Sequence, residues 1–171
     1  QEMLKSIRQR GYAKTWALEK GKLHEDLPVD EVLKRMGAGD VFIKGANAID
    51  PYGNAGIFLG SPIGGTVGRV VGTAMAKGIT IVIPVGLEKM IPTPISKAAV
   101  EAGTQRMDYS MGMPVGLLPL SGTVVDEVKA FQILTGAEAI PIGAGGVDGA
   151  EGAVTLVIKG PDSQVKKSLQ I

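Results

Sequence analysis

Residues Lys44–Thr66 read KGANAIDPYGNAGIFLGSPIGGT, and six glycines break the apolar runs of this stretch. Glycine loses more backbone freedom on folding than any other residue, so such a density needs a compensating use. Two strand signals, Asp40–Lys44 and Ala55–Leu59, each run into a glycine-bearing turn. The first turn is Gly45-Ala46-Asn47; the second is Gly60–Gly65, followed by a helical pattern from Thr66. In an open parallel sheet the crevice beyond the carboxyl ends of the strands is where ligands bind. A glycine turn opening a helix frees backbone N–H groups for an anion. The stretch therefore predicts an anion-binding crevice at a sheet edge.

Working outward, further strand signals lie at Ile79–Val85, Val115–Leu118, Glu138–Ile142 and Ala153–Lys159. Helical signals lie at Glu2–Arg10, Val29–Met36, Thr66–Lys77, Ile95–Ala102, Val124–Leu134 and Asp162–Leu169. Near-continuous Val, Ile and Leu in several strands fits burial on both faces. This alternation predicts the α/β class, with a Rossmann-like, open, mostly parallel sheet and helices on both faces. Thr123 and Asp126 give a Ser/Thr-x-x-acid start for the helix at Val124, and Gly136 gives its stop. Gly68, Gly72 and Ala76 form a stripe of small residues expected to face the sheet closely. Gly11–Leu27 has weak periodicity and reads as an irregular connection packing through Tyr12 and Trp16. The organisation expected is an amino-terminal arm over residues 1–38 packed on a single α/β ligand-binding unit over residues 39–171.

At 171 residues with 44% apolar and 20% charged side chains, the chain has the composition of one globular domain. A net charge of +1 and 4% aromatic residues give no basic stripe and few stacking platforms, which argues against nucleic acid. With no cysteine and one histidine, His24, the chain lacks a thiolate nucleophile and the usual transition-metal ligand sets, so neither a metal nor a cofactor is expected. The apolar run Ile79–Val85 is too short to span a bilayer and carries Pro84. No signal-peptide pattern opens the chain, so a cytoplasmic location is the default expectation. A homo-oligomer remains open.

The candidate substrate-binding residues are Lys44, Gly45 and Asn47 from the first turn, Gly60, Ser61, Gly64, Gly65 and Thr66 from the second, and Lys89. Gly86-Leu87-Glu88-Lys89 follows the Ile79–Val85 strand, so Glu88 and Lys89 can reach the same crevice. Asp50 and Glu88 are the candidate catalytic acids. Asn47 and Asp50 serve equally well as turn formers, because Asp50-Pro51-Tyr52-Gly53 has the chemistry of a tight turn. On the residues alone a solvated helix start is the preferred reading of Glu88, and Arg69, one turn into the helix from Thr66, is either an assisting cation or a surface charge. The glycine cluster Gly143–Gly149 follows a strand and either lines the crevice or forms a flexible loop, the latter being the preferred reading.

Two motifs carry a family resemblance over roughly a third of the chain. KGANAIDPYGNAGIFLGSPIGGTVGRVVG resembles the core motif of the superfamily that contains ribose-5-phosphate isomerase A, glucosamine-6-phosphate deaminase and the CoA transferases. IVIPVGLEKMIP resembles the Gly-hydrophobic-Glu-Lys-hydrophobic-hydrophobic-Pro signature of the lactate-utilisation domains. The resemblance implies a Rossmann-like sheet holding a sugar phosphate, acyl-CoA or related anion. The catalytic residues do not carry over: Lys44 stands before the Gly-Ala pair and Asn47 after it, where the isomerases place aspartates. No phosphate loop precedes Asp40, which together with Gln1 reads as either a shortened or a diverged member. Two functional classes stay open: a small-molecule enzyme acting on a phosphorylated or carboxylated metabolite, and a non-catalytic ligand sensor or assembly subunit.

Overall fold

The structure is a computed structural model that describes residues 15–25 and 27–171. The expected helix Glu2–Arg10 and the contact through Tyr12 lie outside the described residues. The first element is a hairpin of β1 (Trp16–Glu19) and β2 (Lys22–Glu25), paired antiparallel around Lys20-Gly21. Both turn residues have positive φ, 49° and 80°, which matches the twist of a two-residue hairpin. Trp16 does not pack as expected: it is 67% exposed, on the hairpin face that also shows Leu18 and Leu23.

The chain continues through α1 (Val29–Arg35), β3 (Val41–Ile43), β4 (Ala48–Ile49), β5 (Ala55–Leu59), α2 (Gly65–Lys77) and β6 (Thr80–Pro84). A 3-10 turn (Leu87–Lys89), α3 (Ile95–Glu101), β7 (Gly116–Leu120), β8 (Thr123–Val125) and α4 (Glu127–Thr135) follow. The hairpin β9 (Glu138–Ala144) and β10 (Val154–Lys159) and the helix α5 (Asp162–Ser168) complete it. Mixed helices and strands place the protein in the α/β class, as the alternation predicts.

The sheet is not mostly parallel. β3, β6 and β8 form a parallel sheet in the order β3-β6-β8, while β4, β5 and β7 form an antiparallel one in the order β4-β5-β7. Loop length explains the β4–β5 pairing, though not that of β5 with the distant β7. Only a tight turn separates Ile49 from Ala55, and a parallel connection needs about a dozen residues or more. The β9–β10 connection is likewise too short and helix-free, and these strands pair antiparallel. Thr123–Val125, read as a helix start, is drawn into the parallel sheet by pairing with Val82–Pro84. The helix begins one turn later, where the Asp126 side chain accepts from Lys129 N–H at 2.8 Å.

The core joins α1, α2 and both three-stranded sheets through Val29, Leu33, Ile49, Ile57, Val70 and Ile83. Residues 29–33 of the expected arm thus belong to the main core. On β6, Ile81 and Ile83 are buried while Thr80 and Pro84 are exposed, the alternation of a sheet covered mainly on one face. Among the described residues no helix is long and apolar enough to cross a membrane.

α2 buries Val67, Val70 and Ala74, so Gly68, Gly72 and Ala76 face outward rather than onto the sheet. The three apolar residues recur at helical spacing and win the core-facing side. One of the glycines still has a packing role. A Cβ on Gly68 would stand 2.5 Å from the Ile63 carbonyl oxygen, whereas a Cβ on Gly72 would meet nothing. Gly-to-Ala in a helix gains up to about 1 kcal/mol in propensity, and overpacking costs about 1–3 kcal/mol. Gly72→Ala is therefore expected to stabilise by about 0.5–1 kcal/mol and Gly68→Ala to destabilise by about 1 kcal/mol. Urea unfolding of the two variants reads the opposite signs directly; equal shifts would show that the 63–68 contact is not tight.

Candidate functional site

The carboxyl edge of the parallel sheet collects the charged candidates. After β3 the chain stays beside β6: Lys44 N–H donates to Val82 O at 3.0 Å and Ala46 N–H to Pro84 O at 3.3 Å. It then passes to the antiparallel sheet, where Asn47 N–H donates to Gly56 O at 2.8 Å. The Asn47 Oδ1 accepts from Phe58 N–H at 2.9 Å, so this side chain extends the β4 ladder. After β6, Lys89 N–H closes the 3-10 turn on Gly86 O at 3.0 Å, and Ile91 N–H reaches Ile49 O at 2.8 Å. Ala46–Asp50 and Gly86–Lys89 thus run side by side, the juxtaposition predicted for two segments leaving strands of one parallel sheet.

The Lys44 ammonium donates to Gly45 O and the Lys89 ammonium to Ala46 O, each at 3.2 Å, so both are anchored on consecutive carbonyls of one strand exit. Glu88 approaches Lys89 at 3.8 Å and its carboxylate folds back over Gly86. From the β8 side, the Glu127 carboxylate accepts from Leu87 N–H at 2.8 Å and fixes the turn that carries Glu88 and Lys89. Glu127 was not legible as a site residue, because placing the helix start at Thr123 puts it inside the helix. The acidic pair Asp126-Glu127, suited to a first turn, was the available signal.

Asp50 has a different place. It is 1% exposed. Its carboxylate accepts from Tyr52 N–H at 3.0 Å, Asn54 N–H at 2.9 Å, the Asn54 side-chain amide at 3.1 and 3.0 Å, and Ile95 N–H at 2.9 Å. Burial alone would raise its pKa, but the hydrogen bonds from Ile95, Asn54 and Tyr52 outweigh burial and hold it below the ordinary carboxylate value. A carboxylate so enclosed by donors ties the Asp50–Asn54 turn to the start of α3 and is not presented to the crevice as a base.

The second turn is a separate feature. Gly60 lies under the Met113 side chain, Ser61 O accepts from Gly64 N–H at 2.8 Å, and Ser61 Oγ accepts from Ile63 N–H at 3.4 Å. Gly64 and Gly65 both have positive φ, 73° and 60°, and α2 opens without a side-chain cap. Thr66 is exposed. Among the described residues no hydrogen bond links this turn to Lys44, Asn47 or Lys89. Arg69 pairs with Asp30 of α1 at 3.6 Å and so braces two helices. Gly143 lies in β9, one residue before its end, and Gly145–Gly149 fall in the β9–β10 connection, in a sheet separate from the crevice.

Two open concavities of about 410 Å³ each lie elsewhere. One is mostly apolar, between Ile91, Ala98 and Met107; the other lies between Gly53, Thr123 and Lys129. Neither contains Lys44, Asn47 or Lys89; Lys44 is half-buried and Glu88 and Lys89 are exposed, so the chemistry of the charged cluster carries the argument. Among the described residues no group of three His, Asp or Glu is placed to hold a metal ion. No protein-family model, curated protein or solved structure matches the chain.

Proposed function

We propose that this protein is a small-molecule-binding α/β domain whose ligand is a phosphorylated or carboxylated metabolite held at the carboxyl edge of the β3-β6-β8 sheet. One observation carries the reading: two lysine ammoniums, from the exits of adjacent parallel strands, are anchored on the consecutive carbonyls of Gly45 and Ala46. Backbone carbonyls are weak partners for an ammonium compared with an ionised acid, and the one acid beside Lys89, Glu88, stands at 3.8 Å, so both lysines gain by exchanging their carbonyls for a ligand anion. The resemblance to the isomerase and CoA-transferase superfamily points to the same ligand chemistry, and on that view the parallel sheet and its flanking helices are a Rossmann-like unit of a cytoplasmic protein. The glycine turn Gly60–Thr66 is a second anion-facing element under this reading.

The engagement of Asp50 favours binding over turnover, since it withdraws one of the two candidate acids and leaves Glu88. Lys89→Gln and Lys44→Gln are each expected to weaken ligand binding by about tenfold, the loss of one charge-assisted hydrogen bond. Thermal shift against sugar phosphates, acyl-CoAs and hydroxy acids finds the ligand, and calorimetry on the variants measures the loss. A folded double variant that binds as the parent does would sink the site; turnover of a hit would favour the enzyme class.

A further inference from the structure

The carboxyl edge is not uniformly cationic, and its charges are sorted along the sheet. The strand order is β3-β6-β8. At the β3 exit stand the Lys44 and Lys89 ammoniums, on Gly45 O and Ala46 O. At the β8 exit stands the Glu127 carboxylate, on Leu87 N–H at 2.8 Å. Between them Glu88 folds over Gly86 while keeping only a loose 3.8 Å approach to Lys89. Among the described residues the second oxygen of Glu127 has no hydrogen-bond partner.

We propose, resting on the reading of this edge as the ligand site, that the ligand is a zwitterion: a flexible ω-amino acid whose anionic end meets Lys44 and Lys89 and whose ammonium meets Glu88 and Glu127. A ligand with negative charge alone satisfies the lysines but stands beside two carboxylates and is repelled by them. A zwitterion meets both ends of the edge and relieves Glu88 of its poor pairing, and such matching of opposite charges is what confers selectivity. Spacing sets the length of the ligand. Adjacent strands lie about 4.8 Å apart, so the β3 and β8 exits are about 10 Å apart, and each ligand charge stands about 3 Å from its protein partner. The charges of an α-amino acid, on one carbon, can bridge Lys89 and Glu88, 3.8 Å apart, but are too close to reach Glu127 as well; a chain of roughly three to five carbons fits.

Calorimetry at low ionic strength with 5-aminovalerate, valerate and pentylamine tests this. The zwitterion is expected to bind about tenfold more tightly than valerate, the increment of one charge-assisted contact, and pentylamine more weakly than either. Glu127→Gln keeps an acceptor for Leu87 N–H, so it is expected to narrow the advantage of 5-aminovalerate over valerate, Glu88 remaining, while valerate itself does not weaken. Thermal melts check that this variant folds, and Glu88→Gln, on an exposed side chain, gives the same comparison if it does not. Valerate or pentylamine binding as tightly as 5-aminovalerate would overturn the zwitterion, and in the valerate case the anion site itself would stand. Failure of both valerate and 5-aminovalerate to bind would overturn the ω-amino acid, and failure of the whole anion panel would remove the site with it.

Discussion

Asp50→Ala is expected to lower the stability of this protein by about 3–4 kcal/mol, the largest loss from any single side chain discussed. The carboxylate is 1% exposed, and its removal strands the N–H groups of Tyr52, Asn54 and Ile95 together with the Asn54 amide. Each buried donor left without an acceptor costs about 1–3 kcal/mol, and water entering the vacated space recovers only part of the sum. Ile95 stands 45 residues from Asp50 and opens α3, so the effect reaches beyond the local turn to the seating of a helix. At about 2–4 °C per kcal/mol for a domain of this size, the melting temperature is expected to fall by roughly 6–16 °C. Urea unfolding at constant slope gives the free energy. A loss under about 1 kcal/mol would mean that the donors find other partners and that the turn is not held by this group.

The same carboxylate makes stability depend on acid. Its folded pKa is depressed because the hydrogen bonds from Ile95, Asn54 and Tyr52 outweigh the opposing effect of burial. A depressed acid contributes stability that is fully present above the unfolded aspartate value of about 3.9 and is lost as pH falls through the lower folded value. The parent is thus expected to lose stability more steeply below about pH 4 than Asp50→Asn, which carries no titrating group at this position. Urea midpoints measured from neutral pH downward compare the two slopes, and parallel curves would show that Asp50 is not the responsible group.

Much of the fold was legible where local signals and tertiary pairing agree. Val29–Arg35, Ile95–Glu101 and Asp162–Ser168 lie within a residue or two of their predicted spans, each opened by a preceding proline and marked by helical periodicity. What sequence reading missed depends on partners distant in the chain. Ala48–Ile49 is too short to register as a strand and exists through its pairing with Ala55 and Gly56. Thr123–Val125 carries a helix-start signal that the Val82–Pro84 ladder overrides. The Lys20-Gly21 hairpin was hidden because lysine at positive φ is uncommon, so the pair does not read as a turn. For the candidate site, alternating strands and strand exits sufficed to bring Lys44 and Lys89 to one edge, while Asn47 turns its side chain to the β5 backbone. The fate of Asp50 was not legible, because its decisive donor, Ile95, is supplied by the way α3 packs.

The glycines of the opening stretch divide into those that need space and those that need only a backbone angle, and substitution by valine separates them. Gly64 has φ of 73°, and a Cβ there would stand 2.9 Å from the Gly68 α-carbon and 3.9 Å from the Leu59 side chain. Gly65 has φ of 60° with nothing within 4 Å. A side chain held in the left-handed region costs about 1–2 kcal/mol, and overpacking against backbone adds about 1–3 kcal/mol. Gly64→Val is therefore expected to destabilise by about 3–4 kcal/mol and Gly65→Val by about 1–2 kcal/mol, an order that chemical denaturation reads directly. Equal losses would mean that the Gly64–Gly68 approach relaxes freely. Because Gly65→Val is the milder change, it is also the variant in which the turn can be tested for function. Its side chain stands over the uncapped first turn of α2, where the backbone N–H groups and the helix dipole favour an anion. If the turn takes part in binding, the folded variant is expected to lose affinity for phosphate-bearing ligands several-fold. Unchanged affinity would confine the anion to the Lys44 and Lys89 edge and leave Gly60–Thr66 a purely structural link between β5 and α2.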